Sequence, residues 1–171
     1  MPFTPYHFGP SAIIGLPLNR YIDIPVFVLA NVVIDFEPLA VMMFTLDYPL
    51  HGFFHTFLIG GLIGLLFGLC AYPFSPLLKL LMQLFRLPYQ SGLIKMTLSG
   101  LFGIWLHVFI DSFLYKEMHP FWPFPGNSLY RIIDSSNIYV VCEICLIAAI
   151  VIYPALAWSA YKKYLANRDI S

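Results

Sequence analysis

The sequence predicts an all-α integral membrane protein: a helical bundle with four long transmembrane helices plus a short N-terminal half-spanning helix. Apolar residues make up 60% of the 171-residue chain and charged residues only 11%, whereas a soluble domain carries about a quarter charged residues. Four apolar stretches are long enough to cross a hydrocarbon core of about 30 Å, at residues 22–46, 53–73, 93–115 and 137–160. We interpret residues 1–171 as a single membrane-embedded domain.

The apolar stretch at residues 8–18 is too short to span a membrane. It leads into LPLNRYIDIP, residues 16–25, where Pro, Asn and Asp favour a chain reversal. If a helical hairpin turns in the middle of this segment, His7 lies about 18 Å and Asp35 about 20 Å above the turn, at a rise of 1.5 Å per residue. We therefore expect His7 to face Asp35. The N-terminus then lies on the side of the membrane that is nearer to these two residues.

The second long segment carries a glycine at every fourth position, Gly60, Gly64 and Gly68. Residues four apart share one face of a helix, so this segment is expected to offer a smooth face for close helix packing. Loops at 74–92 and 116–136 precede the third and fourth segments.

Lys and Arg residues predict the orientation of these segments. They concentrate in the loop at 74–92, in the turn before the first long segment and in the C-terminal tail. By the positive-inside rule that side is the cytoplasm. We expect an inner-membrane protein with a cytoplasmic C-terminus and an outward N-terminus. The loops at 47–52 and 116–136 then face outward, although the second also holds Lys116 and Arg131.

Charge and cysteine usage exclude two classes of protein. The formal net charge is zero, whereas nucleic-acid binding requires a basic footprint, so no nucleic-acid partner is expected. The three cysteines, Cys70, Cys142 and Cys145, all fall inside predicted helices. This placement does not indicate a disulfide framework.

Ionisable residues inside membrane segments are costly to bury and mark candidate functional sites. One layer in the outer half of the predicted spans holds several of them: Asp35, Glu37, His55, His107, Asp111 and Glu143. The hairpin adds His7, and the outer loops add His51 and His119, so all five histidines lie at or near this layer.

The spacing of these residues is typical of metal ligands. His51 and His55 are four positions apart, as are His107 and Asp111, which predicts that each pair shares one face of a helix. Imidazole and carboxylate groups without thiolates suit zinc, manganese or iron. Because there are more ligands than one tetrahedral site uses, we expect two or more ions, with zinc the first candidate.

A structural role is the alternative for each of these residues. His55, His107 and Asp111 fit a hydrogen-bonded cluster that holds helices together, worth about 1 kcal/mol per contact. His51 fits a solvated loop, and His119 an outer-loop cap. By contrast, Asp23 is assigned to a helix cap rather than to chemistry.

Four motifs, taken in order, resemble a known family: MPFTPYHFGP, ANVVIDFEPL, PLHGFFHTFL and LHVFIDSFLYKEMHPFWPF. They are similar to the LexA-regulated, membrane-bound predicted metal-dependent hydrolases, from His7 to Phe124. The resemblance implies a metal site formed by one residue set: His7, Asp35, Glu37, His51, His55, His107, Asp111 and His119. The chain departs from the usual Asp-x-Asp pair, because Glu37 follows Asp35, and Gly52 stands where relatives often carry Arg.

A second, fainter likeness concerns the order His, Asp, His, His-x-x-x-Asp. It is similar to that of the zinc-dependent phospholipases C and the fungal single-strand nucleases. This likeness implies that one metal is held by four residues, Asp35, His55, His107 and Asp111. His7 would then help to hold a neighbouring ion.

The expected function is a membrane-bound metal-dependent hydrolase, in the first instance a phosphoesterase, that cleaves an ester or phosphoester of a lipid-like substrate through a metal-activated water. Glu37 is the candidate general base. Glu143 is either its substitute or a group that orients a ligand imidazole. Two other classes stay open: a metal-ion or proton transporter, and a haem-binding membrane subunit with His55 and His107 as axial ligands.

Overall fold

The computed structural model of the chain describes the backbone of residues 5–168 and the side chains of residues 5–162. Within these residues the fold is all-helical, as predicted. The α-helices are α1 (Phe8–Gly15), α2 (Ile24–Val33), α3 (Phe36–Met43), α4 (Phe57–Ala71), α5 (Ser75–Leu84), α6 (Leu93–Ser112) and α7 (Ser135–Arg168). Short 3₁₀ turns lie at Pro5–His7, Phe53–His55 and Tyr72–Phe74.

Four helical segments are long and apolar enough to cross a membrane, at Ile24–Met43, Phe57–Leu84, Leu93–Leu114 and Ser135–Lys162. They match the four predicted segments in number and order. The second extends further than expected, because the 3₁₀ turn at Tyr72–Phe74 joins α4 directly to α5. Much of the stretch at 74–92 that was predicted as a loop is therefore helical.

The first long segment is broken between α2 and α3, where a continuous helix was expected. Pro38 accounts for the break, because proline has no N–H and its ring clashes with the carbonyl four residues earlier, that of Ile34. The N–H of Glu37 instead donates to the Ile34 carbonyl at 3.2 Å, three residues back. Both acidic side chains at the break, Asp35 and Glu37, are buried.

The predicted N-terminal hairpin is present. α1 packs against α2 and α7, and His7 Nε2 lies 3.1 Å from Asp111 Oδ1 at the far end of α6. Asp23 is the N-cap of α2, as expected, since its Oδ1 accepts a hydrogen bond from the Val26 N–H at 3.3 Å. The Asp23 N–H donates to Ser99 Oγ at 2.8 Å, which ties the turn to α6.

α6 lies at the centre of the bundle between α4 and α2. The predicted glycine face of α4 is confirmed, since Gly60, Gly64 and Gly68 are buried. A Cβ added to Gly64 would lie 2.6 Å from the Gly100 carbonyl oxygen of α6, and one added to Gly103 would lie 2.5 Å from the Phe27 carbonyl oxygen of α2. The α6 backbone therefore touches both neighbouring helices directly.

Replacing Gly64 by alanine should destabilise the protein, although alanine is the better helix former by about 1 kcal/mol. Overpacking in a tight contact costs about 1–3 kcal/mol, and here the new methyl group meets backbone that cannot rotate away. We expect a lower free energy of unfolding in detergent for Gly64→Ala than for Leu66→Ala, a change on an exposed side chain of the same helix. Equal or greater stability of Gly64→Ala would contradict the close approach.

Candidate metal centre

Four buried side chains from three distant parts of the chain converge at one end of the bundle. They are Asp35 at the break between α2 and α3, His55 at the end of a 3₁₀ turn, and His107 and Asp111 on α6. One ligand atom from each lies within 4.8 Å of the others. We call these four residues the central cluster.

The imidazole nitrogens and carboxylate oxygens of the central cluster lie close enough together to face a common point. His107 Nε2 lies 3.3 Å from Asp35 Oδ1 and 3.0 Å from Asp111 Oδ2, and His55 Nε2 lies 3.9 Å from Asp35 Oδ1. Both Nε2 atoms are buried, and apart from these carboxylate oxygens neither has a hydrogen-bond partner among the described residues. Two imidazole nitrogens and two carboxylates therefore fit a divalent metal ion.

Glu37 holds one of these imidazoles in place. Its Oε2 lies 2.7 Å from His55 Nδ1, which leaves His55 Nε2 directed at the cluster. Glu37 also accepts hydrogen bonds from the N–H groups of Gly52 and Phe54, each at 3.1 Å, and from the Tyr48 hydroxyl at 3.3 Å. A carboxylate bonded to the second nitrogen of a histidine is the common support of metal-bound histidines.

His51 has a similar environment. Its Nδ1 lies 3.0 Å from Glu117 Oε1, its Nε2 lies 3.9 Å from Asp111 Oδ2, and its ring stacks on Tyr115 with centroids 3.8 Å apart. Burial lowers the pKa of His51, because desolvation disfavours the charged ring, and the neighbouring His55 acts in the same direction. A neutral imidazole is the form that binds metal.

The prediction that His51 and His55 share a face of a helix is wrong. His51 lies in a loop, and His55 ends a 3₁₀ turn that precedes α4. The loop instead directs the N–H groups of Gly52 and Phe54 to Glu37, so these groups do not form helical hydrogen bonds. The two rings still meet edge to face, with centroids 4.8 Å apart.

His7 reaches the cluster from the other side. Its ring stacks on His107, with centroids 4.1 Å apart and planes 9° apart. Asp111 therefore lies between three imidazoles. Its Oδ1 faces His7 at 3.1 Å, and its Oδ2 faces His107 at 3.0 Å and His51 at 3.9 Å.

Two predicted site residues lie apart from the central cluster. His119 is in the loop between α6 and α7, where its Nδ1 accepts a hydrogen bond from the Gly126 N–H at 2.9 Å. With His51 and Glu117 it lines a pocket of about 220 Å³, which we call the polar pocket after these three side chains, although most of its exposed wall is apolar. Glu143 is exposed on α7, next to Cys142, which is buried.

Comparisons with known proteins found no match, whether with protein-family models, with curated proteins or with solved structures. The resemblance to metal-dependent hydrolases therefore stays a hypothesis based on the motifs. The candidate metal site stands on the geometry of the central cluster.

The supporting residues were harder to identify from sequence than the candidate ligands. Glu117 stands two positions before His119 in the fourth motif, and only the fold shows that it contacts His51. Tyr48 is brought to Glu37 by the closure of the loop, and its hydroxyl also accepts a hydrogen bond from the Phe53 N–H at 2.8 Å. No local spacing indicates these contacts.

Metal content tests the central cluster. We expect protein purified without chelator to contain at least one transition-metal ion per chain, and His107→Ala or Asp111→Ala protein to lose most of it, because the remaining donors cannot complete a tetrahedral site. The matched control is Glu143→Gln, which changes an exposed carboxylate and should keep the metal. Elemental analysis together with a thermal unfolding curve provides the measurement. Full metal content in a folded His107→Ala protein would show that the central cluster does not hold the metal.

Proposed function

We propose that the protein is a membrane-bound metal-dependent hydrolase that cleaves an ester or phosphoester of an amphiphilic substrate. The observation that carries the proposal is the buried convergence of Asp35, His55, His107 and Asp111. Two features support hydrolysis over a purely structural metal. One candidate ligand is held by a second carboxylate, Glu37, and the polar pocket reaches His51 at the edge of the cluster.

The central cluster would hold the first metal ion through Asp35, His55, His107 and Asp111. Zinc is our first candidate, and manganese or iron also suits this donor set. When bound, such an ion supplies a Lewis acid that polarises the scissile group and lowers the pKa of water toward neutrality.

We also propose a second ion, held by His7, His51 and Asp111. Support comes from Asp111, because each of its carboxylate oxygens lies near one of these two imidazoles. Oδ1 lies 3.1 Å from His7 Nε2, and Oδ2 lies 3.9 Å from His51 Nε2. Asp111 would contribute to holding both ions, and Glu117 contacts His51 as Glu37 contacts His55.

The surroundings of the carboxylates suggest how their roles divide. Glu37 is fully engaged by a histidine, two backbone N–H groups and a tyrosine hydroxyl, so we propose that it positions His55 rather than acting as the base. Glu117 has a side chain 42% exposed and lines the polar pocket. It is the carboxylate that can accept a proton from water in that pocket.

The two alternative functions receive less support. A transporter requires a polar path through the bundle, whereas four fully buried apolar side chains pack together between α2 and α6: Ala30, Ile34, Ile104 and Val108. A haem held by His55 and His107 requires a porphyrin plane between the rings. Their centroids are 5.4 Å apart, and Asp35 Oδ1 lies within 3.9 Å of both Nε2 atoms.

We place the site on the outer side of the inner membrane, with a cytoplasmic C-terminus, from the distribution of Lys and Arg.

An activity assay tests function and sidedness together. Metal-loaded protein should hydrolyse at least one member of a panel of lipid phosphates, phosphodiesters and carboxylic esters, and Asp35→Asn protein should not. In right-side-out vesicles a membrane-impermeant chelator should abolish this activity. Activity that resists the chelator there, but not in inside-out vesicles, would reverse the orientation. No turnover of the whole panel by metal-loaded protein would defeat the hydrolase proposal.

The role of Glu37 can be separated from that of Glu117. We expect Glu37→Gln to weaken metal binding by about 10 to 100-fold, as for other residues that orient ligands, and excess metal should restore much of the rate. Glu117→Gln should keep the ion of the central cluster and, even at saturating metal, lose about 10² to 10⁴-fold in kcat, the usual contribution of a general base. Metal titration and kcat at saturating metal are measured for both variants. If Glu37→Gln keeps its metal and loses its rate, Glu37 is the base.

A further inference from the structure

A second, apolar cavity lies beside the polar pocket. It is a groove of about 470 Å³ between α4 and α6, within the usual size range of ligand pockets, and four residues of the loop after α6, Pro120, Phe121, Trp122 and Phe124, also line it. The side chains that shape it are almost entirely apolar, among them Leu58, Leu62, Leu101, Trp105 and Phe121. We call it the apolar groove.

The walls of the apolar groove are held in defined positions. Trp105 Nε1 donates a hydrogen bond to the Phe57 carbonyl at 2.8 Å, so the indole bridges α6 and α4. The Phe57 N–H donates to the Pro120 carbonyl at 2.8 Å, which fixes the loop after α6 over the start of α4. Phe57 and Phe121 pack with ring centroids 5.4 Å apart. The groove is therefore a formed feature of the fold.

Trp122 lines both the apolar groove and the polar pocket. Its ring packs edge to face on Phe53, with centroids 5.5 Å apart, and Phe53 belongs to the 3₁₀ turn that ends at His55. The polar pocket and the apolar groove therefore lie on either side of one shared residue, Trp122, and His51, which lines the polar pocket, lies 3.9 Å from Asp111 of the central cluster. From Phe57 to Leu65 the groove follows α4 for about 12 Å, at 1.5 Å per residue.

We infer that the apolar groove between α4 and α6 holds an alkyl chain of the substrate, while the ester head group lies in the polar pocket beside the metal centre. The inference rests on the proposed hydrolase function and specifies its substrate as an amphiphile with an unbranched alkyl chain. Each part of such a molecule meets matching surroundings: polar His51, Glu117 and His119 in one cavity, and the leucines of α4 in the other.

Four exposed leucines of α4 supply a matched pair of double variants. Leu58 and Leu62 line the groove, whereas Leu66 and Leu69 face outward elsewhere on the same helix. The variant Leu58→Phe/Leu62→Phe adds two rings to the groove. The control Leu66→Phe/Leu69→Phe adds the same two rings to the surface of α4, so effects on membrane partitioning and helix stability are matched.

The kinetic test compares the butyl and octyl esters of 4-nitrophenyl phosphate, which share a leaving group. We expect wild-type protein and the control to prefer the octyl ester by about 10-fold or more in kcat/KM, since each buried methylene contributes about 0.8 kcal/mol. The groove variant should lose most of this preference. An equal preference in all three proteins would overturn the inference while leaving the hydrolase proposal intact.

A binding test needs no turnover. In a Trp158→Phe background the remaining tryptophans, Trp105 and Trp122, both line the groove. The probe 8-bromooctylphosphonate should quench their fluorescence saturably, and octylphosphonate should compete. The groove variant should require at least about 10-fold more probe than the control, and metal removal should weaken binding because the head group loses its partner.

The two tests fail in distinguishable ways. Saturable quenching that depends on the groove and on metal, in a protein that hydrolyses nothing, would support the amphiphile site and defeat the hydrolase proposal. Quenching that rises without saturation and is the same in both double variants would show that the groove takes up bulk lipid only, and the inference would fall.

Discussion

The close approach of α6 to α4 and α2 determines where the candidate metal centre lies. At Gly64 and Gly103 no space is left for a Cβ, so the helix backbones fix the position of α6 with little dependence on side-chain rotamers. His107 and Asp111 occupy the last turns of that helix. Their positions are therefore set by backbone packing, and the other residues of the site come to them on flanking segments. Small residues at such crossings are the usual means of close helix packing in membrane proteins.

Glu37 has the same organising role for the loop that the glycines have for the helices. A buried carboxylate is costly unless hydrogen bonds satisfy it, and here two backbone N–H groups, a hydroxyl and an imidazole do so. Those donors all belong to residues 48–55, so the requirement to satisfy one carboxylate shapes the whole segment. The break between α2 and α3, which Pro38 causes, makes this possible, because it interrupts the helix where Asp35 and Glu37 enter the interior.

Particular residues show which features could be predicted from the sequence. Composition was sufficient to predict four apolar spans. The rise per residue of a helical hairpin was sufficient to bring His7 to the candidate site, but the ion pair that the structure describes for His7 is with Asp111, whereas Asp35 was the expected partner. The spacing of His51 and His55 wrongly predicted a shared helix face, because the hydrogen bonds that shape their loop go to Glu37, a residue distant in sequence. Glu143 was predicted at the site from its position along α7, but the structure exposes its side chain; α7 is apolar on nearly all sides, so no polar face indicated its rotation. Rotation about a helix axis and non-local hydrogen bonds depend on tertiary packing, which neither periodicity nor spacing encodes.

Charge balance links the candidate metal to the stability of the bundle. Asp35 and Asp111 place two carboxylates in the buried central cluster, and these two lack the backbone donors that satisfy Glu37. One divalent ion would offset these two negative charges. Since the ligands come from segments that meet only in the folded chain, the binding free energy of the ion adds to the free energy of folding. The same ion that would supply the chemistry would thus also hold the α2–α3 break and the 48–55 loop against α6, so that in this fold stability and function depend on one site.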